Sequence, residues 1–296
     1  MAKTILHMIT PLAHMSPFDV NMAIDAGYDA TASYTNVSLE EVTGIVQDAM
    51  FSRSPRDATR TGLFIGGKDA LVALDMLEAA GKALFKPFEI SLFADPAGSF
   101  TTAAAMIAVV EKTLREKKSR ALRGVAVSVF GATGVVGTAS AVIAALEGAS
   151  VTLVAREGTE RTARHAAEVN RRFGLHLAVA DGSTHEKKTA ILAATEVVLA
   201  AAKAGARVID AAEIAGAPKL MIAADVNAVP PSGVEGVDAH ANGAPLGEHG
   251  AMAIGALAIG NVKYRTESGL FKQMTESKTP LRLDFRHAFA LARTLA

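Results

Sequence analysis

Apolar runs and amphipathic stretches alternate through the first 118 residues of the chain. Four runs have the length and content of strands: "KTILHMIT" at 3–10, "YDATASYT" at 28–35, "TGLFIGG" at 61–67 and "FEISLFAD" at 88–95. A helical pattern follows each run, beginning at Pro17, Ser38, Asp69 and after Ser99. This fourfold βα repeat predicts a parallel sheet covered by helices on both faces, with binding sites at the C-terminal ends of its strands.

The second of these helices carries a start signal. Ser38 and Glu41 have the spacing of a capping box, in which the serine hydroxyl accepts a backbone N–H bond and the glutamate carboxylate reaches back to the serine N–H. We therefore predict that this helix begins at Ser38.

Residues 125–156 predict a strand, a glycine turn, a helix and a second strand. The run at 125–130 suits a strand buried on both faces, and Gly131, Gly134 and Gly137 follow it at a spacing of three. In a dinucleotide-binding turn, the first glycine permits the tight turn, the second admits an anion to backbone N–H groups, and the third allows close packing of helix and strand. Because the pattern is GxxGxxG rather than GxGxxG, a merely structural glycine turn is the alternative.

Further strand and helix patterns extend this second region. They are "SVTLVA" at 150–155, a helix at 160–173 ended by Gly174, "LHLAVAD" at 175–181, "TEVVLAA" at 195–201 and "KLMIAAD" at 219–225. Together they predict a doubly wound, Rossmann-like sheet. From about Ala251 the pattern returns to helix. A last helix at 284–296 carries Phe285, Phe289 and Leu291, which we expect to pack on the first domain.

The charged stretch at 111–124 separates the two patterns. We expect a substrate-binding, catalytic domain at 1–122, completed by C-terminal helices at 265–296, and a nucleotide-binding domain at 123–264. The predicted fold class is α/β, with two domains.

Composition limits the functional classes. Thirty basic and thirty acidic residues cancel without a dense basic block, so nucleic-acid binding is not expected. The chain has no Cys, which excludes disulfides, thiol nucleophiles and cysteine-ligated metals. The apolar stretches are shorter than the roughly 20 residues that span a bilayer, and the first residues lack a signal-peptide pattern. We therefore expect a cytoplasmic protein without a membrane partner.

Two residues after the strand at 150–155 bear on the choice of cofactor. In this fold an acid at that point binds the ribose 2′-hydroxyl of NAD, whereas an arginine accommodates the 2′-phosphate of NADP. Arg156 is placed to clamp a phosphate, while Glu157 beside it would repel a phosphate or bind a free hydroxyl. We predict that NADP is favoured and NAD tolerated; an exposed charge pair of little energetic consequence is the alternative.

Two common catalytic arrangements are missing. A short-chain dehydrogenase needs a Tyr with a Lys four positions later, and Tyr28, Tyr34 and Tyr264 all lack that Lys. The eight His occur singly, with no pair at i, i+4, so we expect no metal site.

Three stretches outside the glycine turn are unusual for a core. Phe18 and Asp19 lie in the first turn of a helix, Asp95 and the pair Thr101–Thr102 lie at a strand-to-helix turn, and Lys263 lies on an otherwise apolar helix. Each has a structural alternative: a charge placed at the helix dipole, a helix cap, or a snorkelling lysine. We interpret them jointly as candidate site residues, because they fall near strand ends or on a returning helix.

Several of these stretches resemble a known family. "SPFDVNMAIDAG", "FSRSP", "TGLFIGGKDA", "FADPAGSFTTAAAM", "FGATGVVG", "DVNAVPP" and "IGALAIGNVKY" together look like the NAD(P)-dependent methylene-tetrahydromethanopterin dehydrogenases of methylotrophic bacteria. The resemblance covers nearly the whole chain. It implies hydride transfer from the methylene bridge of a reduced pterin to NAD(P), within formaldehyde oxidation in the cytoplasm. It also implies a homo-oligomer, a trimer being the family's better-known arrangement.

The resemblance also implies roles for individual residues. Catalysis would involve Lys263, Asp19 and Asp95, and the pterin would bind near Phe18, Ser99, Thr101 and Thr102. The cofactor would bind at Gly131, Thr133, Gly134, Val135, Val136, Gly137, Arg156 and Asn227. The family has two types: one uses both cofactors, and the other is strictly NADP-dependent and also accepts the folate analogue. The stretches at 9–20 and 93–100 resemble the first type. Arg156 resembles the phosphate-binding arginine of the second type.

Other functions remain as alternatives. A methylene-tetrahydrofolate or shikimate-type NADP dehydrogenase would share the two-domain architecture. The shikimate type would need a Lys and Asp pair for proton transfer, visible as a bell-shaped pH dependence of the rate. A non-catalytic NADP(H) sensor would bind the nucleotide without turnover of any pterin.

Overall fold

The computed structural model describes residues 2–296, which form two compact units. The first unit runs to Thr101 and also takes in Tyr264–Leu291 and Leu295. The second unit comprises Thr102–Lys263 together with Ala292–Thr294 and Ala296. The functional division of the chain at 122/123 and 264/265 stays a prediction.

Strands and helices alternate through most of the chain. The strands are β1 (Ile5–Ile9), β2 (Ala30–Tyr34), β3 (Thr61–Ile65), β4 (Ser91–Ala94), β5 (Ala126–Phe130), β6 (Ser150–Ala155), β7 (Ala178–Asp181), β8 (Val197–Ala200), β9 (Ile222–Asp225), β10 (Asn242–Leu246), β11 (Ala251–Ile254) and β12 (Arg282–Leu283). The helices are α1 (Pro17–Asp25), α2 (Val42–Phe51), α3 (Ala70–Ala83), α4 (Ser99–Lys118), α5 (Val135–Leu146), α6 (Glu160–Phe173), α7 (His185–Leu192), α8 (Ala211–Ala215), α9 (Ala256–Glu276) and α10 (Phe285–Leu295). None of the helices within residues 2–296 is both long and apolar enough to cross a membrane.

The first sheet is parallel throughout, with the order β12-β4-β3-β1-β2. The chain order reverses between β1 and β3, and ligands of such sheets bind outside the strand ends at this point. Ile9 pairs with Ile65, and Ile65 pairs with Ala94, so the C-terminal ends of β1, β3 and β4 are level. The loops after these three strands therefore leave the sheet side by side.

Aromatic side chains from distant parts of the sequence form the core of the first unit. The Phe93 ring centroid lies 5.4 Å from that of Phe64 and 5.2 Å from that of Phe271 on α9. Phe100 on α4 packs edge-on against Phe285 on α10, with centroids 5.4 Å apart. All five rings are fully buried, so α9 and α10 contribute directly to this core.

The second sheet has the order β10-β11-β9-β8-β5-β6-β7, in which only β10 pairs antiparallel. Strand β5 lies inside the sheet between β8 and β6, with later strands added on both sides, which confirms the predicted doubly wound sheet. Phe130 pairs with Val154 on one side and with Ala200 on the other. The glycine turn after β5 therefore lies level with the ends of β6 and β8.

Two details of the predicted elements are wrong. Helix α2 begins at Val42 rather than Ser38. Glu41 Oε2 does accept the Ser38 N–H at 2.7 Å, but Glu41 is the N-cap of α2 and no side-chain hydrogen bond caps the helix. Residues 251–254 form β11 rather than the start of a helix, because this apolar run pairs with β9 and β10. Periodicity alone does not distinguish a short buried strand from a buried helical turn.

Candidate functional site

The glycine turn after β5 is shaped by close backbone contacts at its first and third glycines. Gly131 has φ +77°, and a Cβ added there would lie 2.4 Å from the Ala201 carbonyl oxygen. A Cβ on Gly137 would lie 2.4 Å from the Gly131 carbonyl oxygen. Both positions require glycine because the surrounding backbone occupies the space of any side chain.

The middle glycine is in a different situation. Gly134 is the N-cap of α5 with φ −77°, and an added Cβ would lie 3.3 Å from the Gly131 carbonyl oxygen. No side chain caps α5. The N–H groups of Val135, Val136 and Gly137, at the N-terminus of this helix, therefore have no hydrogen-bond partner within the helix. Such an N-terminus binds an anion through its N–H groups and its dipole. Glycine at 134 thus keeps the approach to these donors open.

A cavity of about 540 Å³ lies beside the glycine turn, within the size range of small-molecule sites. Segments at the C-terminal ends of four strands, together with Lys188 on α7, supply its wall. They are Phe130, Gly131 and Thr133 at the end of β5, Val154 to Gly158, Arg161 and Thr162 at the end of β6 and in α6, Gly182 and Ser183 after β7, and Ala202, Lys203, Arg207 and Val208 after β8. The structure thus brings Gly131, Thr133 and Arg156 to one cavity. A crevice at this switch point is where the fold binds dinucleotides.

Arg156 and Glu157 form an ion pair at the edge of this cavity. Arg156 Nη2 lies 2.9 Å from Glu157 Oε1, and the side chains are 86% and 78% exposed. The arrangement agrees with both sequence interpretations, a cofactor-selecting pair and an exposed charge pair. An exposed pair of this kind adds little stability.

Asn227 is held by the loops after β8 and β9. Its Oδ1 accepts the N–H groups of Gly205 at 3.2 Å and Val229 at 3.0 Å, and its Nδ2 donates to the Pro231 carbonyl at 2.9 Å. Asn227 is not in the wall of the cavity, and its role at the cofactor stays a prediction.

The switch-point loops of the first unit approach one another closely. A Cβ added to Gly67 after β3 would lie 3.5 Å from Pro11 Cδ after β1 and 4.0 Å from Pro96 Cβ after β4. Gly67 has φ +131°, a conformation that favours glycine. Lys68 follows with an exposed side chain. The candidate substrate residues after β1 and β4 therefore start from neighbouring loops.

Asp95 caps α4 from the end of β4. Its Oδ1 accepts the Phe100 N–H at 2.7 Å and the Thr101 N–H at 3.3 Å, and its Oδ2 accepts the Thr101 hydroxyl at 2.6 Å. Asp95 and Thr101 are fully buried. These bonds hold a carboxylate at the switch point in a fixed orientation, whereas contact of Asp95 or Thr101 with a substrate stays a prediction.

The other candidates of the first unit lie at helix starts. Ser16 Oγ accepts the Asp19 N–H at 3.4 Å at the start of α1, where Asp19 is buried and Phe18 is 46% exposed. Ser99, the first residue of α4, is half-buried. In the second unit, Thr102 and Lys263, the latter on α9, are half-buried. The role of Phe18 stays a prediction.

A charged cluster links α7 and α8 beyond the cavity. His185, Asp210 and Glu213 have ligand atoms within 4.8 Å of one another. The fully buried Glu213 also accepts hydrogen bonds at Oε2 from Lys188 Nζ and from the Asp210 N–H, both at 3.0 Å, and its Oε1 lies 2.8 Å from Lys188 Nζ. The lysine ammonium already neutralises this carboxylate, so the cluster has the character of an ion-pair network.

Sequence reasoning missed four basic residues of the cavity wall, Arg161, Lys188, Lys203 and Arg207. Arg161 stands in the first turn of α6, and Lys203 follows β8. The glycine turn identifies β5 as the first strand of the nucleotide-binding fold, so the strands that follow it can be counted. Arg161 in α6, after the second strand β6, and Lys203, after the fourth strand β8, could have been found in this way.

Comparison with known proteins agrees with this geometry. Residues 17–97 match the family model described as "Methylene-tetrahydromethanopterin dehydrogenase, N-terminal". The whole chain is 49% identical to the full length of an "NAD(P)-dependent methylenetetrahydromethanopterin dehydrogenase" and 31% identical to the full length of "Bifunctional protein MdtA", both from Methylorubrum extorquens.

Two solved structures with the same fold are more distant in sequence. Shikimate 5-dehydrogenase from Listeria monocytogenes is 13% identical with a TM-score of 0.54, over 99% of this chain and 96% of that chain. Ornithine carbamoyltransferase from Pyrococcus furiosus has the same identity, 13%, and TM-score, 0.54, over 93% and 86%. These two likenesses show the fold alone. Full-length identity of 49% shows more: the chain belongs to the methylene-tetrahydromethanopterin dehydrogenase family.

Proposed function

We propose that this protein oxidises methylene-tetrahydromethanopterin to the methenyl form by direct hydride transfer to NAD(P)+. The observation that carries the proposal is the 49% identity, over the full length of both chains, to a relative named for this activity. The glycine turn and cavity of the second unit support it, because they have the features expected of a dinucleotide site.

The residues present fit a nicotinamide cofactor. Gly134 leaves free the space beside the N-terminus of α5 that a larger side chain would fill. The uncapped N-terminus of α5 offers N–H donors to a pyrophosphate. Thr133 lines the cavity next to that turn. When bound, the cofactor supplies the hydride acceptor. The protein's part is to bind it, to orient it and to exclude water.

Removal of hydride from a carbon between two nitrogens leaves a resonance-stabilised amidinium cation. No proton has to move, so the site needs no general acid or base. Positive charge develops at the reacting carbon, and a preorganised carboxylate facing that carbon stabilises it. We assign this electrostatic role to Asp19 and Asp95; the three hydrogen bonds to Asp95 hold its charge in place.

The remaining candidates position the pterin. Phe18 presents an exposed ring for packing against it, and Ser99, Thr101 and Thr102 provide hydroxyls at the start of α4. Lys263 orients the pterin carbonyl or a nearby carboxylate. Holding the pterin against the nicotinamide at near-attack distance supplies the rest of the rate enhancement.

NADP is proposed as the favoured cofactor, with NAD also used. Five basic side chains line the cavity against a single carboxylate, that of Glu157. This excess of positive charge favours the cofactor that carries an additional phosphate. The homo-oligomer and the cytoplasmic location implied by the family resemblance are likewise proposals, and no metal ion is proposed for the reaction.

An absorbance assay of nicotinamide reduction tests the function. The purified protein is supplied with methylene-tetrahydromethanopterin or methylene-tetrahydrofolate, each with NAD or NADP. We expect turnover with methylene-tetrahydromethanopterin and both cofactors, faster with NADP, and a rate without the bell-shaped pH dependence of proton transfer. Turnover restricted to the folate, or nucleotide binding without turnover of either pterin, would contradict the proposal.

A further inference from the structure

We propose that Arg161 binds the 2′-phosphate of NADP and is a specificity-determining residue of this enzyme, together with Arg156. This inference rests on the dinucleotide role proposed above for the cavity of the second unit. It follows from the balance of charges around the cavity and from the position of each basic side chain in the fold.

Three of the five basic side chains in the cavity wall are already neutralised. Arg156 lies 2.9 Å from Glu157, Lys188 lies 2.8 Å from Glu213, and Arg207 lies 2.9 Å from Glu235. Within residues 2–296, Arg161 and Lys203 form no ion pair with a carboxylate. The positive charge available to a phosphate is therefore concentrated at these two residues.

An arginine held by a carboxylate binds a phosphate less well than a free one. Arg156 must either release Glu157 or bring the negative charge of Glu157 close to the phosphate. Releasing Glu157 loses the ion pair, and keeping it places like charges at short distance, so both have a free-energy cost. Arg161 has no such carboxylate, and its planar guanidinium can bind two phosphate oxygens at once.

Position distinguishes Arg161 from Lys203. Lys203 follows Ala201 and Ala202, and a Cβ on Gly131 would lie 2.4 Å from the Ala201 carbonyl oxygen and 2.6 Å from the Ala202 nitrogen. Lys203 therefore extends from backbone that touches the glycine turn, where the pyrophosphate binds. Arg161 belongs instead to the first turn of α6, directly after the β6 end, the segment that faces the ribose 2′-position in this fold.

Calorimetric titration with two nucleotides tests the assignment without turnover. Adenosine 2′,5′-bisphosphate and 5′-AMP differ only in the 2′-phosphate, and both are titrated into the full-length protein. Arg161→Gln should weaken binding of the bisphosphate by about tenfold or more, the ratio expected for one lost charge-assisted hydrogen bond, and leave 5′-AMP binding within about twofold. Arg161→Lys should give an intermediate loss, because it keeps the charge but not the planar fork.

Two variants serve as controls. Arg164→Gln removes an exposed arginine from the same helix that is not in the cavity wall, and should bind both nucleotides like the wild type. Lys203→Gln should weaken both nucleotides, because each carries a 5′-phosphate. Melting curves check that every variant is folded.

The possible failures are distinguishable. If folded Arg161→Gln binds the bisphosphate like the wild type, or loses both nucleotides equally, Arg161 does not recognise the 2′-phosphate. If the wild type binds neither nucleotide, the dinucleotide site itself is absent, and the proposed function fails together with the assignment.

Discussion

The Thr138 hydroxyl joins His165 on α6 to the glycine turn that precedes α5. Thr138 Oγ1 donates to the Ala132 carbonyl at 3.1 Å and lies 2.8 Å from His165 Nε2. A hydroxyl has one proton, so the hydroxyl that donates to Ala132 accepts from His165, which must carry a proton on Nε2. The buried Thr138 thus ties the nucleotide-binding turn to the helix that carries Arg161.

Thr138→Val, which keeps the shape but removes the hydroxyl, should therefore weaken both stability and nucleotide binding. We expect a loss of about 1–3 kcal/mol in the free energy of unfolding, because the buried Ala132 carbonyl loses a donor and His165 an acceptor. Urea denaturation and calorimetric titration with NADP measure the two effects. Thr138→Ser keeps the hydroxyl and is the control; if the two variants behave alike, the hydrogen bonds are unimportant.

Gly134→Val should abolish binding of both nicotinamide cofactors and leave the protein folded. The backbone φ of −77° at Gly134 suits any residue, but the added side chain occupies the approach to the N–H groups of α5. Gly137→Ala is the contrasting variant: its Cβ would meet backbone at 2.4 Å and should cost about 1–3 kcal/mol of stability. Calorimetry and melting curves separate the two effects. Wild-type affinity in Gly134→Val would contradict the anion site.

Arg156→Gln and Glu157→Gln should shift the cofactor preference in opposite directions. Loss of Arg156 removes a phosphate ligand, whereas loss of Glu157 removes a repelling charge and frees Arg156 from its ion pair. Each change in the relative binding of NADP and NAD should be about 1 kcal/mol, since both side chains are exposed and screened by solvent. The ratio of kcat/KM for the two cofactors measures the shift. If the preference for NADP over NAD moves in the same direction in both variants, Arg156 and Glu157 do not select the cofactor in this way.

Lys263→Ala should lower kcat strongly and leave the Kd of NADP nearly unchanged. We expect this separation because Lys263 is assigned to the orientation of the pterin in the transition state. Steady-state kinetics with methylene-tetrahydromethanopterin, together with a melting curve, test it. Lys272→Ala, an exposed lysine on the same helix, is the control. A kcat within about twofold of the wild type would mean that Lys263 only snorkels from an apolar face.

Asp284 should stabilise the first unit in a pH-dependent way. Burial raises the pKa of its carboxyl, but hydrogen bonds from His287 and Arg286, with the Arg286 charge, outweigh burial and hold the pKa well below its usual range. The stabilisation is therefore fully present above the unfolded-state pKa of about 4 and is lost as the pH falls through the folded-state value.

Asp284→Asn should accordingly be less stable than the wild type at pH 7, by roughly 1–3 kcal/mol, and the difference should shrink below about pH 4. Urea denaturation at several pH values measures this difference. Asp25→Asn, which removes an exposed carboxylate on α1, should follow the wild-type curve. A difference that stays constant down to low pH would contradict the assignment to the ionised carboxylate.

The sequence by itself determined the alternation of strands and helices and the glycine turn. Residues 150–155 and 160–173 match β6 and α6, because local periodicity and the stop at Gly174 decide these elements. The family, too, was readable, since its motifs extend along the whole chain. Local signals of this kind need no knowledge of what lies across the sheet.

Tertiary structure decided the rest. The run at 251–254 becomes β11 because β9 and β10 offer it partners, which no local pattern encodes. Asp95 becomes a buried cap because the three donors of α4 face it. Lys188 and Arg207 are neutralised because the folded chain brings Glu213 and Glu235 near them. Charge pairing depends on distances between side chains, and folding alone sets those distances.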